Sequence, residues 1–262
     1  MTRMAHPIAR MVCGLAIVCV MAAFSQPAAA QDPQRVLDHF LCYGVQPQAY
    51  NGPHVVSLID QFSAKPVTTK VVARQLLCNP VTKSLPQQPA GKLLHPQAHL
   101  LCYQAPSASA PRKVIVTNQF GKTELAVSNA SMLCLPSSKV VGDYHKPPAP
   151  APIPTGLDHF KCYAVQQVNP VQSHTVLLHD QFMETRGTSY QAVQLCNPTQ
   201  KVVAGQHPTK VLYPYAHLVC YTIQLPEKNH YVFVTNQFES DLGPLRVTMV
   251  QLLCLPSLKQ LL

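Results

Sequence analysis

The sequence predicts an all-β protein: two tandem disulfide-stapled β-sandwich or small-barrel domains, each made of two half-repeats related by an internal pseudo-twofold. Three observations predict it. One pattern is written four times, each copy holds two cysteines, and the apolar residues between them alternate with period two.

Residues 1–30 read as a secretory leader. Arg3 and Arg10 precede an uncharged apolar run from Met11 to Phe24, and Ala28-Ala29-Ala30 offers a small-residue cleavage site. That run is shorter than the roughly 20 residues needed to span a bilayer. Cleavage after Ala30 is therefore expected, with a secreted or periplasmic product and no transmembrane segment left. The leader carries two arginines and no acid, so its removal takes the net charge from +9 to +7.

The repeats follow. Each opens on His-x-x-Cys-Tyr, at His39/Cys42/Tyr43, His99/Cys102/Tyr103, His159/Cys162/Tyr163 and His217/Cys220/Tyr221. An acid or amide before Gln-Phe comes next, at Asp60/Phe62, Asn118/Phe120, Asp180/Phe182 and Asn236/Phe238. Each copy closes on Leu-Cys-x-Pro with a lysine five residues past the cysteine, at Lys83, Lys139, Lys201 and Lys259. The first and third copies share Asp-His-Phe and Leu-Cys-Asn-Pro; the second and fourth share Ala-His-Leu and Leu-Cys-Leu-Pro-Ser. A half-unit doubled, diverged, and doubled again as a pair. The predicted domains are thus 38–139 (halves 38–83 and 98–139) and 158–262 (halves 158–201 and 216–259), of ordinary domain size.

Each half contains three β-type runs. In the second, Val56, Leu58, Asp60 and Phe62 share a face, and the other copies repeat the alternation. The proline after each closing cysteine is expected to stop the third run, because it brings no amide donor. Between the domains, 140–157 is proline-rich. Its core, 146–154, alternates proline and predicts an extended spacer of about 28 Å holding two separate beads.

The eight cysteines outside the leader, in an exported chain, predict four disulfides. Pairing within halves would join Cys42–Cys78, Cys102–Cys134, Cys162–Cys196 and Cys220–Cys254. Pairing across the halves also respects the repeat.

The chemistry weighs toward structure. A histidine and two cysteines per unit suggest zinc, but residues three apart on a strand face opposite ways, and an oxidising compartment pairs thiols first. The four histidines are expected at half-exposed outward positions, on the same face as Lys161 and Tyr163 in the third copy, and the four lysines in solvated loops. Asp60 and Asp180 resemble catalytic acids, yet Asn118 and Asn236 fill the same place. A position that takes either acts as a hydrogen-bond acceptor and not as a proton donor. The basic residues form no run of three, and tryptophan is absent, so nucleic acid is not an expected partner.

The run Asp158-His159-Phe160-Lys161-Cys162-Tyr163, with Asp180-Gln181-Phe182, Leu195-Cys196-Asn197-Pro198 and His217-Leu218-Val219-Cys220-Tyr221, resembles a domain of unknown function found in secreted, often multi-domain bacterial proteins. The resemblance implies a bacterial exported protein and a cysteine-stapled β-module, with no activity attached. The expected function is non-enzymatic: an extracytoplasmic structural or ligand- and surface-interaction module. No catalytic, cofactor or metal residues are assigned. The partner would be an extracellular or cell-envelope ligand, and the basic charge suits an anionic one. The alternatives are a zinc-binding His/Cys protein and an uncharacterised secreted hydrolase.

Overall fold

The computed structural model describes residues 32–262 apart from 47–49, 51, 87, 90, 228 and 240–243. The leader and its cleavage site lie outside the described residues. After a short helical turn at Pro33–Arg35, the described chain is built from strands.

The first half contributes β1 (His39–Val45), β2 (His54–Asp60), β3 (Ser63–Val71) and β4 (Ala73–Ser84). The second contributes β5 (His99–Ser107), β6 (Arg112–Asn118) and β7 (Gly121–Val141). The third has β8 (His159–Gln167), β9 (His174–His179) and β10 (Glu184–Val202), and the fourth β11 (His217–Gln224), β12 (His230–Thr235) and β13 (Leu245–Leu261).

Pairing runs antiparallel around a closed circuit, β1–β4–β5–β7–β8–β10–β11–β13 and back to β1. Each half supplies two of the eight staves: the His-x-x-Cys-Tyr strand and the strand that carries Leu-Cys-x-Pro. Eight strands enclose a space just wide enough for side chains to fill. Here Phe40, Leu100, Phe160, Leu218 and all eight paired cysteines fill it, leaving a void of only about 10 Å³ among them.

The second run of each half is folded over the outside as an arm. The arms cross between the predicted domains: β2 pairs with the end of β10, β9 with the end of β4, β6 with the end of β13 and β12 with the end of β7. Between arms and barrel lies a second core, made of Tyr43, Leu58, Leu101, Val116, Tyr163, Leu178, Val219, Val234 and their neighbours.

These pairings correct the two-domain reading. Residues 38–139 and 158–262 share one barrel, and residues 31–262 form one compact unit. A pair of halves yields only four staves, and a four-stave sheet leaves two open edges that the other pair covers. The segment 140–157 is not a spacer between beads. Its Ala151 carbonyl accepts from Ser138 Oγ at 2.7 Å, which holds it against β7.

The prolines do not end the third run either. Pro80, Pro136, Pro198 and Pro256 all lie inside strands, opposite Phe40, Leu100, Phe160 and Leu218. Each stands two residues past the point where one of its strand's two barrel neighbours has stopped pairing, at Cys78, Cys134, Cys196 and Cys254. The missing amide thus falls where the strand is locally an edge, the position that tolerates proline.

Candidate functional site

The cysteines come first because they fix everything outside them. On each stave pair the two cysteines stand directly opposite, and the disulfides are Cys42–Cys78, Cys102–Cys134, Cys162–Cys196 and Cys220–Cys254. Neighbouring disulfides touch: Cys42 Sγ lies 3.7 Å from Cys254 Sγ, Cys78 Sγ 4.0 Å from Cys102 Sγ and Cys134 Sγ 3.8 Å from Cys162 Sγ. The sulfurs form a layer across the barrel interior.

Residues of opposite parity on the same strands point to the arms, and there the signature tyrosines, phenylalanines and lysines meet in four corresponding clusters. Each is centred on a Gln-Phe phenylalanine. In the first, Tyr43 meets Phe182 edge-on at 5.2 Å, Lys139 Nζ sits 4.0 Å over the ring, and His230 stacks on it at 4.3 Å. In the second, Tyr103, Lys201 and His54 surround Phe238 at 5.5, 4.6 and 4.6 Å. In the third, Tyr163, Lys259 and Arg112 surround Phe62 at 4.9, 4.1 and 4.4 Å. In the fourth, Tyr221, Lys83 and His174 surround Phe120 at 5.0, 5.0 and 4.1 Å.

A polar tie accompanies each ring. Asp180 accepts from Tyr43 Oη (2.9 Å) and Asn79 Nδ2 (2.8 Å) on one oxygen and from the Phe182 and Met183 amides on the other. Asp60 accepts from Tyr163 Oη (2.9 Å), Asn197 Nδ2 (2.8 Å) and Ser63 Oγ (2.8 Å). Where the residue is Asn, the amide donates instead. Asn118 Nδ2 donates to Tyr221 Oη and Ser257 Oγ, and Asn236 Nδ2 to Tyr103 Oη and Ser137 Oγ. The Asp/Asn exchange is thus matched by an exchange of its neighbour: Asn79 or Asn197 beside an acid, Ser137 or Ser257 beside an amide. The tyrosine and its Asp or Asn partner always come from opposite predicted domains.

Two predicted exposures are corrected. His99, His159 and His217 are buried, and His39 is half-buried. The arms roof the outward face of the barrel, so outward parity does not mean solvent. His39 and His159 each bond a Gln-Phe glutamine, Gln119 and Gln237, through Nε2 at 3.1 Å. Lys83, Lys139 and Lys201 are likewise buried and Lys259 is half-buried, because the lysine lies on a phenylalanine face and not in a loop. Burial lowers the ammonium pKa to about 8 at Lys83 and Lys201 and to about 7 at Lys139 and Lys259.

Burial also favours neutral imidazole. It holds His99 at about 2, His159 at about 4 and His217 well below the ordinary 6.5, with neighbouring lysines adding to the effect. Below pH 6.5 the unfolded chain therefore binds more protons than the folded one. The stability these residues contribute is fully present above pH 6.5 and is lost as pH falls toward 4, by about 1.4 kcal/mol per pH unit for each histidine. Urea unfolding midpoints should fall steeply between pH 6 and pH 4; a flat profile would show that the histidines are not buried neutral.

Some participants carry no repeated mark. Arg74 Nε and Nη2 both donate to the Glu239 carboxylate, which also accepts from Tyr103 Oη at 2.8 Å. Glu239 follows Gln-Phe in one copy alone, so the fourfold pattern does not single it out. Asp38 and Asp158 were marked, in the shared Asp-His-Phe. Asp38 accepts the Leu94 and His95 amides, and Asp158 the Leu212 and Tyr213 amides, anchoring the segments that lead into the even halves.

Chemically, Asp60 and Asp180 are saturated acceptors. The cysteines are cross-linked and face away from the histidines, and among the described residues no three His, Cys, Asp or Glu side chains gather as a metal set.

A family model described as a repeat of unknown function, DUF7450, matches residues 95–256. That stretch begins just ahead of His99 and covers the second, third and fourth halves. No curated protein and no solved structure matches the chain.

Proposed function

Starting from the fact that the chain belongs to this DUF7450 repeat family, we propose that it is a bacterial, exported, non-enzymatic scaffold. It acts as a structural or surface-interaction module of the cell envelope or its exterior. One observation carries the reading: the repeated cysteines of all four halves end in the sulfur layer, the repeated tyrosines, phenylalanines and lysines in the aromatic clusters, and the repeated histidines in buried or half-buried places beneath the arms. The marked chemistry is used up in holding the fold.

What is left for recognition is copy-specific and exposed. The loop 168–172 is tied to β7 by Asn169, whose side chain accepts the Glu124 amide at 2.8 Å, and it presents Val168 and Val171 half exposed to solvent. Its counterpart at 46–53 lies partly outside the described residues. Val55, Leu177 and Tyr231 are similarly exposed on the arms. Apolar residues on braced loops suit a partner surface, because little conformational entropy remains to be lost on contact. Four disulfides suit an oxidising compartment.

The test uses the full chain in its own cell or a bacterial host. The expected product is extracytoplasmic, begins at Gln31, and gains about 8 Da on reduction, two hydrogens for each of four disulfides. Replacing 168–172 with a Gly/Ser loop of equal length should leave the melting temperature within about 2 °C and abolish retention on envelope preparations. A cytosolic protein with free thiols, or unaltered retention, would refute the proposal.

A further inference from the structure

The four clusters share a lysine but not its neighbours. Lys139 Nζ donates to Asn79 Oδ1 at 2.7 Å, and Asn79 Nδ2 donates to Asp180 Oδ2 at 2.8 Å. Lys259 Nζ donates to Asn197 Oδ1 at 2.6 Å, and Asn197 Nδ2 donates to Asp60 Oδ2 at 2.8 Å. In both, a carboxamide is held between an amine on its oxygen and a carboxylate on its nitrogen. The Lys201 and Lys83 clusters lack both partners. The residue matching Asn79 is Leu135 in the one and Leu255 in the other, and Asn236 or Asn118 stands in place of the acid. The bridging asparagine and the aspartate are thus present together or absent together.

Lysine, asparagine and aspartate in this order are also the reactants of an amide exchange. A carbonyl bond is about 1.23 Å long, so Lys139 Nζ lies no more than about 3.9 Å from Asn79 Cγ, and Lys259 Nζ no more than about 3.8 Å from Asn197 Cγ. Reacting atoms in a near-attack arrangement stand about 3 to 3.5 Å apart. A short swing of the lysine tip from the carbonyl oxygen to the amide face closes the difference. Attack also needs an unprotonated amine. Burial brings both lysines down to about 7, so near neutral pH a large share of each carries a free lone pair. Asn79 and Asn197 are fully buried, which keeps water from competing for the carbonyl carbon.

We propose that Asn79 joins Lys139, and Asn197 joins Lys259, through side-chain amide bonds, with Asp180 and Asp60 carrying the proton. Nζ adds to Cγ, and the carbonyl electrons move onto Oδ1. A proton from Nζ passes by way of the carboxylate to Nδ2. The carbonyl then re-forms as the Cγ–Nδ2 bond breaks, and Nδ2 leaves as ammonia. One amide replaces another, nothing is oxidised or reduced, and the carboxylate ends as it began. Each chain reacts with itself once and turns over no substrate. The bonds are independent of the loop 168–172 and its partner.

Each aspartate comes from the predicted domain opposite to the pair it serves. Asn79 and Lys139 lie in 38–139 and Asp180 in 158–262; Asn197 and Lys259 lie in 158–262 and Asp60 in 38–139. The bonds therefore form only once the shared barrel has closed. They tie the first half to the second and the third to the fourth, which the disulfides do not.

The test is mass spectrometry of the exported, leader-free chain after reduction and unfolding. Each bond removes one ammonia, about 17 Da, so the expected mass lies about 34 Da below that of the sequence with free thiols. Cyclisation of an N-terminal Gln31 sheds ammonia as well, so the bonds are located by trypsin digestion. One branched product should join the peptide of Asn79 to that of Lys139, uncut after that lysine, and a second should join Asn197 to Lys259. Asp180→Asn should lose the first branched product and keep the second, and Asp60→Asn the reverse. Asn79→Leu, which copies Leu135, should also lose the first. The wild-type digest carries the test by itself if the variants do not fold. A folded wild-type chain that yields these four residues only in linear peptides would overturn the proposal, as would branched products that persist in both aspartate variants.

Discussion

Asp180→Ala should lower stability by about 3 to 5 kcal/mol, the range for breaking a buried charge pair by removing one partner. The variant deprives Tyr43 Oη, Asn79 Nδ2 and two backbone amides of their acceptor. It also leaves Lys139, bonded through Asn79, without its carboxylate. For a chain of this length the loss corresponds to roughly 10 °C in melting temperature. Asp180→Asn should cost less, since Asn118 and Asn236 show that an amide fits the site, though Lys139 would still lack a counter-charge. Urea unfolding at pH 7 checks both. Equal, negligible losses would mean that the tie is not structural.

The second large effect concerns the predicted domain itself. Residues 31–142 expressed alone should not give a folded monomer. They hold four of eight staves, and their arms β2 and β6 would lose their partners on β10 and β13. Tyr43 and Tyr103 would lose Asp180 and Asn236. Two copies can replace what is missing, because 158–262 is the same motif displaced along the chain. The expected outcome in oxidising buffer is a dimer by light scattering, or an unfolded chain at low concentration. A cooperative monomer would contradict the shared barrel. The linker 140–157 then acts as the tether that makes this association intramolecular.

How much of this was legible in sequence depends on the range of each interaction. The all-β class, the half-repeats and the opposed facing of His39 and Cys42 follow from local periodicity, and they match the strands and the two core layers. The within-half cysteine pairs are the ones found, because a half closes its own stave pair. The shared barrel was not legible. Period two marks a strand's faces but not its neighbour, and the arms find theirs in the other repeat. The lysines were misplaced for the same reason: Lys139 is buried by Phe182, 43 positions away in sequence and on another arm.

The disulfide arrangement has a mechanical consequence. Every disulfide joins staves within one half, while the seams β4–β5, β7–β8, β10–β11 and β13–β1 pair by backbone hydrogen bonds and carry no disulfide. Pulled from its ends, the oxidised chain would come apart at the seams into four covalent rings in series. Each ring keeps its 32 to 36 residues out of the load path. Only the segments between rings, such as the 24 positions from Cys78 to Cys102 or the 28 from Cys134 to Cys162, could lengthen. A chain held by these disulfides alone would yield by a short, bounded extension and close again with its stave pairs intact.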